Sequence, residues 1–152
     1  MKIENLFQAN APQKATPDKT VLAVVHAQKT HKTRQRSGLA KIMLHTGWDE
    51  KFDSPDYNLH PYLSVDAAEW MVNRGIKMFG IDCITVDLPT PLRPKGFDFP
   101  VHRILLGNNV LIAENVTNLG SIVGKQTRIL ALPLRVKGSD AGHARIVAEV
   151  LH

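Results

Sequence analysis

The chain has 152 residues, 43% of them hydrophobic, which suits one globular domain with a continuous core. No apolar run approaches the ~20 residues of a membrane helix, and residues 1–10 lack the apolar stretch of a signal peptide, so the sequence predicts a cytoplasmic protein without a membrane partner. The single cysteine, Cys83, excludes an internal disulfide and a cysteine-rich zinc cluster. A metal site would therefore have to use histidine and carboxylate ligands.

The net charge of +5 is concentrated at the N-terminal end. Residues 1–37 contain seven Lys and Arg against two acidic residues, whereas residues 38–152 contain twelve of each sign. Nucleic-acid-binding surfaces require a clustered basic footprint, and the cluster here is a short polar segment at residues 29–36. Short basic arms are commonly solvated tails, so the sequence does not favour a nucleic-acid partner.

The first predicted elements are two short strands. A β-branched run at residues 21–25 and an apolar run at residues 41–45 favour strands, while residues 1–19 show no periodicity. Residues 48–61 are rich in Asp, Ser, Pro, Asn and aromatic residues, which favours an ordered surface loop over a regular element. The three aromatic residues in this loop predict that it docks onto the body of the domain.

The clearest helix begins after Ser64. This residue is a favourable N-cap, Asp66 lies in the first turn, and Gly75 suits the C-terminal cap. Residues 76–81 follow at once as a buried strand that ends at Asp82. A helix joined to a strand by a tight turn indicates an α/β fold.

The proline-rich segment 88–100 excludes regular structure over much of its length and predicts a long loop. Long ordered loops after strand ends often carry binding residues on α/β folds. Pro100 suits the first turn of a short helix that contains His102, and the next strand delivers Glu114 at its end. The remaining strands are predicted at residues 110–113, 127–136 and 145–150.

Several short motifs are weak alone but specific in their order. They are Leu44-His45-Thr46-Gly47-Trp48, Gly80-Ile81-Asp82 with Val86-Asp87, Phe99-Pro100-Val101-His102-Arg103 and Glu114-Asn115-Val116-Thr117-Asn118-Leu119. This order resembles the cyclase family of metal-dependent hydrolases, which includes kynurenine formamidase and isatin hydrolase. The similarity continues through Ala131-Leu132-Pro133-Leu134 and Gly138-Ser139-Asp140.

The resemblance implies a swivelling β/β/α fold and one or two divalent metal ions, zinc or manganese. It also implies an early His-x-x-x-His-x-Asp ligand set and a later His and Glu, which correspond to His102 and Glu114. The early set has no counterpart, because the segment with His26 and His31 has the wrong spacing and carries Thr33 where the aspartate belongs. No residue corresponds to the general-base histidine near that set, so no catalytic residue is assigned.

The family resemblance begins near the point where the basic segment ends. We therefore interpret residues 1–38 as a basic, poorly packed leader outside the resemblance, and residues 39–152 as the C-terminal part of the family domain. The fold is expected to be incomplete at its N-terminal side. A truncated, frame-shifted or fused gene product would explain both the change in charge and the missing ligands.

The other candidate residues each have a structural alternative. Asp82 and Asp87 could orient a ligand histidine, although loop capping through their own backbone is the favoured interpretation. Cys83 is expected to be a small buried hydrophobic residue rather than a nucleophile. Three histidines could gather a metal in a rearranged site, although an exposed basic loop and a histidine at a strand end are the favoured interpretation; these are His26, His31 and His45. Three aromatic residues could equally line a substrate pocket or simply pack; these are Trp48, Tyr57 and Tyr62.

The resemblance implies a metal-dependent hydrolase of amide or lactam bonds, similar to an arylformamidase. N-formylkynurenine or a related small molecule is the expected substrate, and little activity is expected from the isolated chain. The alternative is a non-catalytic remnant or subunit that associates with another chain through exposed core surface. A homo-oligomer is expected in either case.

Overall fold

The computed structural model describes residues 41–151. The predicted strand at residues 21–25 and the candidate ligands His26 and His31 lie outside the described residues. No helix within residues 41–151 combines the length and apolar character required to cross a membrane.

The described chain folds as an α/β structure with one parallel sheet and one antiparallel pair of strands. Its elements are β1 (Lys41–Leu44), α1 (Val65–Asn73), β2 (Met78–Ile81), α2 (Pro100–Gly107), β3 (Leu111–Ala113), β4 (Thr127–Pro133) and β5 (Ala144–Val150). The first three strands are parallel in the order β1-β2-β3, with Met43 beside Gly80 and Gly80 beside Ala113. Strands β4 and β5 pair antiparallel, with Leu130 opposite Val147. The predicted fold class is confirmed.

Helix α1 begins where its capping residue predicted. The Ser64 side chain accepts a hydrogen bond from the backbone N–H of Ala67 at 3.2 Å, which satisfies one of the unpaired donors of the first turn. Gly75, just after the helix, adopts a left-handed backbone with φ of 71° that suits glycine best. The chain then turns directly into β2, so that α1 packs against the sheet that it precedes.

Alternating side chains of the parallel sheet enter two separate cores. On one face Phe79 and Ile81 pack with Met71 of α1 and Leu105 of α2. On the other face Met43 and Met78 pack with residues that lead to the β4–β5 pair: Val116, Leu119, Ile122 and Ile129. Gly80 lies on this second face, where an added Cβ would collide with the thioether of Met43. Glycine at this position leaves room for the Met43 side chain, so that β1 and β2 can pack closely on this face.

Two segments differ from the sequence prediction. Residues 48–61 are not wholly irregular, because they contain one-turn 3-10 helices at Trp48–Lys51 and Tyr57–Leu59. Their asparagine, aspartate and serine content is compatible with such short turns as well as with loops. Strand β4 ends at Pro133, before the predicted residue 136, and one further backbone hydrogen bond, from Leu134 N–H to the His143 carbonyl at 2.9 Å, lies beyond it.

Parallel pairing brings the ends of β1, β2 and β3 to one edge of the sheet. His45 follows β1, Asp82 follows β2 and Glu114 follows β3. Ligands of open parallel sheets bind outside this carboxyl edge. The fold therefore gathers the candidate polar residues at the edge where a site is expected.

Candidate metal centre

His102 lies between two carboxylates at the carboxyl edge of the sheet. Its Nε2 atom is 3.3 Å from Oε1 of Glu114, and its Nδ1 atom is 2.6 Å from Oδ2 of Asp87. The histidine is in the first turn of α2, and Glu114 directly follows β3. His102 belongs to a helix and Glu114 adjoins the end of a strand, so the packing of the core fixes the relative placement of the two side chains.

Asp87 holds the start of α2 as well as the histidine. Its two oxygens accept hydrogen bonds from the backbone N–H groups of Val101 and His102, each at 3.0 Å. These donors belong to the first turn of a helix, where they lack partners within the helix itself. Burial alone would raise the pKa of Asp87, but the hydrogen bonds from the His102 ring and the two backbone groups outweigh it and lower that pKa.

The two carboxylates also determine the charge of His102. Hydrogen bonds to Asp87 and then to Glu114 raise the pKa of His102 to about 9, against the opposing effect of burial. Both ring nitrogens therefore carry protons at neutral pH when no metal is bound. A metal at Nε2 would displace that proton, as expected for any histidine ligand. Glu114 Oε1 is positioned further by the backbone N–H of Val86, at 2.9 Å.

The spacing of this pair fits a shared divalent ion. Two ligand atoms at about 2.0–2.1 Å from one tetrahedral zinc ion lie about 3.3–3.4 Å apart, and Nε2 of His102 is 3.3 Å from Oε1 of Glu114. Asp87 behind Nδ1 completes the carboxylate–histidine arrangement that orients metal-binding imidazoles. Within residues 41–151, no third His, Cys, Asp or Glu joins these two as a ligand set.

His102 and Glu114 line a cleft of about 470 Å³. The proline-rich loop supplies much of its wall through Thr90, Arg93 and Phe99, and residues after β2 supply Ile84 and Thr85. The Phe99 ring stands edge-on to the His102 ring, with their centres 6.0 Å apart. The long loop predicted from its prolines thus forms one side of the candidate site.

The contacts of Asp82 differ from those of Asp87. Its carboxylate accepts hydrogen bonds from the backbone N–H groups of Thr46 and Gly47, each at 2.8 Å, and from the Thr46 hydroxyl at 2.6 Å. Asp82 is buried and none of its described contacts is with His102 or Glu114. These contacts hold the loop that follows β1, and the role of Asp82 in orienting a ligand histidine stays a prediction.

A second group of ligand-type residues lies around Asp82. Ligand atoms of His45, Asp49 and Asp82 all lie within 4.8 Å of one another. Asp49 already accepts hydrogen bonds from the Thr117 hydroxyl and from the backbone N–H of Asn118 at 3.0 Å each. Since both carboxylates fasten loops, the group has a structural role before any metal is considered. Asp49 was missed in the sequence because nothing in its local pattern pointed to these distant partners.

The remaining candidates are structural. Cys83 is fully buried, and this burial raises the pKa of its thiol to about 12, which favours the protonated form. Trp48 donates its indole N–H to the backbone carbonyl of Tyr57 at 2.9 Å, and the Tyr57 hydroxyl contacts Asn115 Oδ1 at 2.5 Å. Neither these two aromatic residues nor Tyr62 lines the cleft, where Phe99 is the aromatic residue.

Comparison with protein families identifies a match to the "Putative cyclase" model over residues 6–88. This range covers more than half of the chain. It also includes residues 6–38, which the sequence analysis placed outside the resemblance. The boundary of the family domain at residue 38 thus stays a prediction.

Curated relatives match about 70% of the chain. An uncharacterized protein of Methanocaldococcus jannaschii is 31% identical over 108 residues, which cover 70% of this chain and 52% of that protein. The kynurenine formamidase of Bacillus mycoides is 31% identical over 111 residues, covering 72% and 49%. The chain spans about half the length of the curated relatives that it matches.

Two of the solved structures with a similar fold are isatin hydrolases. One, bound to the product analogue thioisatinate, superposes with a TM-score of 0.64 at 21% identity and covers 77% of this chain and 47% of its own. Isatin hydrolase A from Ralstonia solanacearum gives a TM-score of 0.60 at 21% identity, covering 71% and 44%. The fold is thus shared with these enzymes, and together with the family match it leads to one assignment: the chain belongs to the cyclase family.

Proposed function

We propose that this chain carries part of the metal centre of a metal-dependent hydrolase of amide or lactam bonds, similar to an arylformamidase. The observation that carries the proposal is the 3.3 Å separation of His102 Nε2 and Glu114 Oε1, with Asp87 behind the histidine. The kinship with kynurenine formamidase supports N-formylkynurenine or a related small amide as the substrate. Zinc and manganese are the proposed metals, since imidazole and carboxylate suit both.

A divalent ion held by His102 and Glu114 would polarise a substrate carbonyl and make water more acidic. Asp87 accepts the Nδ1 proton of His102, which leaves Nε2 as the atom that faces the ion. Phe99 offers an apolar surface for a ring of the substrate. Among the described residues of the cleft, the titratable bases are His102 and Glu114, and both are assigned to the ion. We therefore expect proton abstraction to use a group other than the described residues that line this cleft.

We expect the isolated chain to hydrolyse little or no N-formylkynurenine, even with excess zinc or manganese. Catalytic zinc sites usually have three protein ligands and one open position, and the proposed centre supplies two ligands. Fusion or co-expression with a segment that carries a His-x-x-x-His-x-Asp set should restore metal affinity before it restores turnover. Efficient metal-dependent turnover by the isolated chain that His102→Ala abolishes would contradict the incomplete centre.

Metal affinity tests the assignment of the ligands without relying on activity. Competition for Zn²⁺ with a coloured chelator should show weaker binding by His102→Gln and Glu114→Gln. Asp87→Asn should lower the affinity by about 10- to 100-fold, because it removes the partner that orients the imidazole. Glu149→Gln, on the exposed surface of β5, is the matched control, and His45→Gln reports any ion held by the second group. Unchanged affinity in His102→Gln would remove the proposed centre.

A non-catalytic subunit is the second candidate, and the surface of the β4–β5 pair favours it. Leu130, Leu132 and Val147 share its outer face and are 43%, 60% and 46% exposed. Apolar side chains grouped on one face often mark a protein interface. This second candidate requires a homo-oligomer in light scattering, which Leu132→Lys would shift towards the monomer. A monomer in the unmodified chain would leave this candidate without support.

A further inference from the structure

We propose that Arg93 is the anion-binding residue of the cleft and selects amide substrates that carry a carboxylate. That the bound molecule is a substrate rests on the proposed hydrolase function, but the binding of an anion to Arg93 can be measured separately. Arg93 lines the same cleft as His102 and Glu114. It belongs to the proline-rich loop, in which no local sequence pattern distinguishes one basic residue from another.

The guanidinium of Arg93 is held in place by three neighbours. Its Nε–H donates to the backbone carbonyl of Leu88 at 2.8 Å. Its central carbon lies 4.7 Å from the centre of the Phe99 ring and 5.4 Å from that of Phe97. Arginine stacks on aromatic faces in this way, and a planar group that is already oriented loses little entropy when it binds a ligand.

The end of this guanidinium is still available for binding. No described carboxylate forms an ion pair with Arg93, and the one described hydrogen bond from its side chain uses Nε. Its terminal nitrogens therefore keep donors in the fork geometry that matches a carboxylate. The two carboxylates of the candidate metal centre already have other partners. Glu114 contacts His102 and accepts a hydrogen bond from the backbone N–H of Val86, and Asp87 is buried behind the His102 ring.

The Phe99 ring lies near both the anion-binding group and the metal centre. Its centre is 4.7 Å from the central carbon of Arg93 and 6.0 Å from the centre of the His102 ring. A ligand lying against Phe99 would place one end at Arg93 and the other at His102 and Glu114. This arrangement fits an aryl amide whose carbonyl reaches the metal centre and whose carboxylate, on the ring or on a side chain, pairs with Arg93.

The test compares two ligands that differ in charge but hardly in size. Anthranilate carries a carboxylate, and 2-aminobenzamide carries a neutral amide in the same place; both are fluorescent and can be titrated against the full chain with zinc or with a chelator. We expect anthranilate to bind about 10- to 100-fold more tightly, the range for hydrogen bonds to a charged group. Arg93→Gln should abolish this preference, and Arg93→Lys should keep part of it as a point charge. Lys95→Gln, an exposed cation in the same loop, should keep all of it.

Two further results distinguish carboxylate binding by Arg93 from carboxylate binding by a metal ion. A bound metal also attracts carboxylates, so the preference must persist in His102→Gln and in the presence of chelator. Equal affinity for the two ligands, no binding of either, or a preference that survives in Arg93→Gln would overturn the proposal. The anthranilate preference could depend on Arg93 in a chain that hydrolyses no amide, even when the His-x-x-x-His-x-Asp segment is supplied. That result would contradict the proposed function but support the anion site.

Discussion

The two cores of the described chain differ in how completely they are closed. Between the parallel sheet and its two helices, Phe79, Ala67 and Leu105 are fully buried. In the β4–β5 pair only one face is packed, and Leu132 on the other face is 60% exposed. The candidate metal centre is attached to the closed core through α2 and β3. A site that needs fixed distances is thus attached to the more completely buried of the two described cores.

The β4–β5 pair depends on the parallel sheet for its stability. An isolated pair of strands is marginally stable in water, and this pair is joined to the sheet through Ile129 and its contacts with Met43 and Met78. The outer face of the pair adds nothing to that core. This difference suggests that the parallel sheet with its helices determines stability and the position of the site, while the β4–β5 pair is the region available for contacts with other chains.

The largest predicted effect on stability comes from comparing a Leu→Ala substitution in the core of the parallel sheet with one on the outer face of β4. Leu105→Ala should lower the free energy of unfolding by about 2–5 kcal/mol, because it leaves a cavity in the closed core. Leu132→Ala should change it by no more than about 0.5 kcal/mol, since that side chain is mostly in solvent. Urea unfolding followed by circular dichroism measures both. Similar losses in the two variants would show that the outer face of β4 is covered in solution.

Local sequence signals predicted most of the closed half. Ser64, Gly75 and Pro100 act on the backbone next to them, and α1 and α2 begin and end near the residues that they indicated. The short 3-10 helices around Trp48 and Tyr57 were missed, because the composition of residues 48–61 suits turns and loops equally. Which strands pair could not be read from the sequence, because pairing depends on contacts between distant segments.

The candidate site was predictable only in part. His102 and Glu114 were identified through family motifs, and the structure brings them to 3.3 Å. Nothing local separated Asp87 from Asp82, since both follow the same strand, and only the position of α2 decides which carboxylate contacts the histidine. Arg93 was missed because its importance depends on the ring of Phe99 and on the absence of a described carboxylate partner.

An effect of intermediate size on folding stability is expected when the pH is lowered, and its source is the buried His60. His60 is 2% exposed; its Nδ1–H donates to the Pro61 carbonyl at 2.8 Å, and its buried Nε2 has no described partner. Burial lowers the pKa of His60 below its usual value. The unfolded chain therefore binds a proton more readily, so the stability from neutral His60 is present above about pH 6.5 and is lost as the pH falls.

The measurement is the melting temperature between pH 8 and pH 5 for three chains. The unmodified chain should lose more stability on acidification than His60→Gln, which has no imidazole to protonate. His143→Gln, at an exposed position before β5, should follow the unmodified chain. A His60→Gln profile parallel to the unmodified one would mean that His60 is as easily protonated in the folded chain as in the unfolded chain.

The smallest predicted effect concerns the ion pair on the β4–β5 strands. Arg128 and Glu149 lie directly opposite each other, with Nη1 and Oε2 at 2.6 Å, but their side chains are 40% and 53% exposed. Exposed pairs contribute about 0.2–1 kcal/mol, because water screens the charges and both side chains lose freedom. Arg128→Gln should therefore lower the unfolding free energy by at most about 1 kcal/mol, and 1 M salt, which shortens the screening length to about 3 Å, should remove most of the difference. A larger loss that resists salt would mean that the pair is buried in solution, as it would be if another chain covered the outer face.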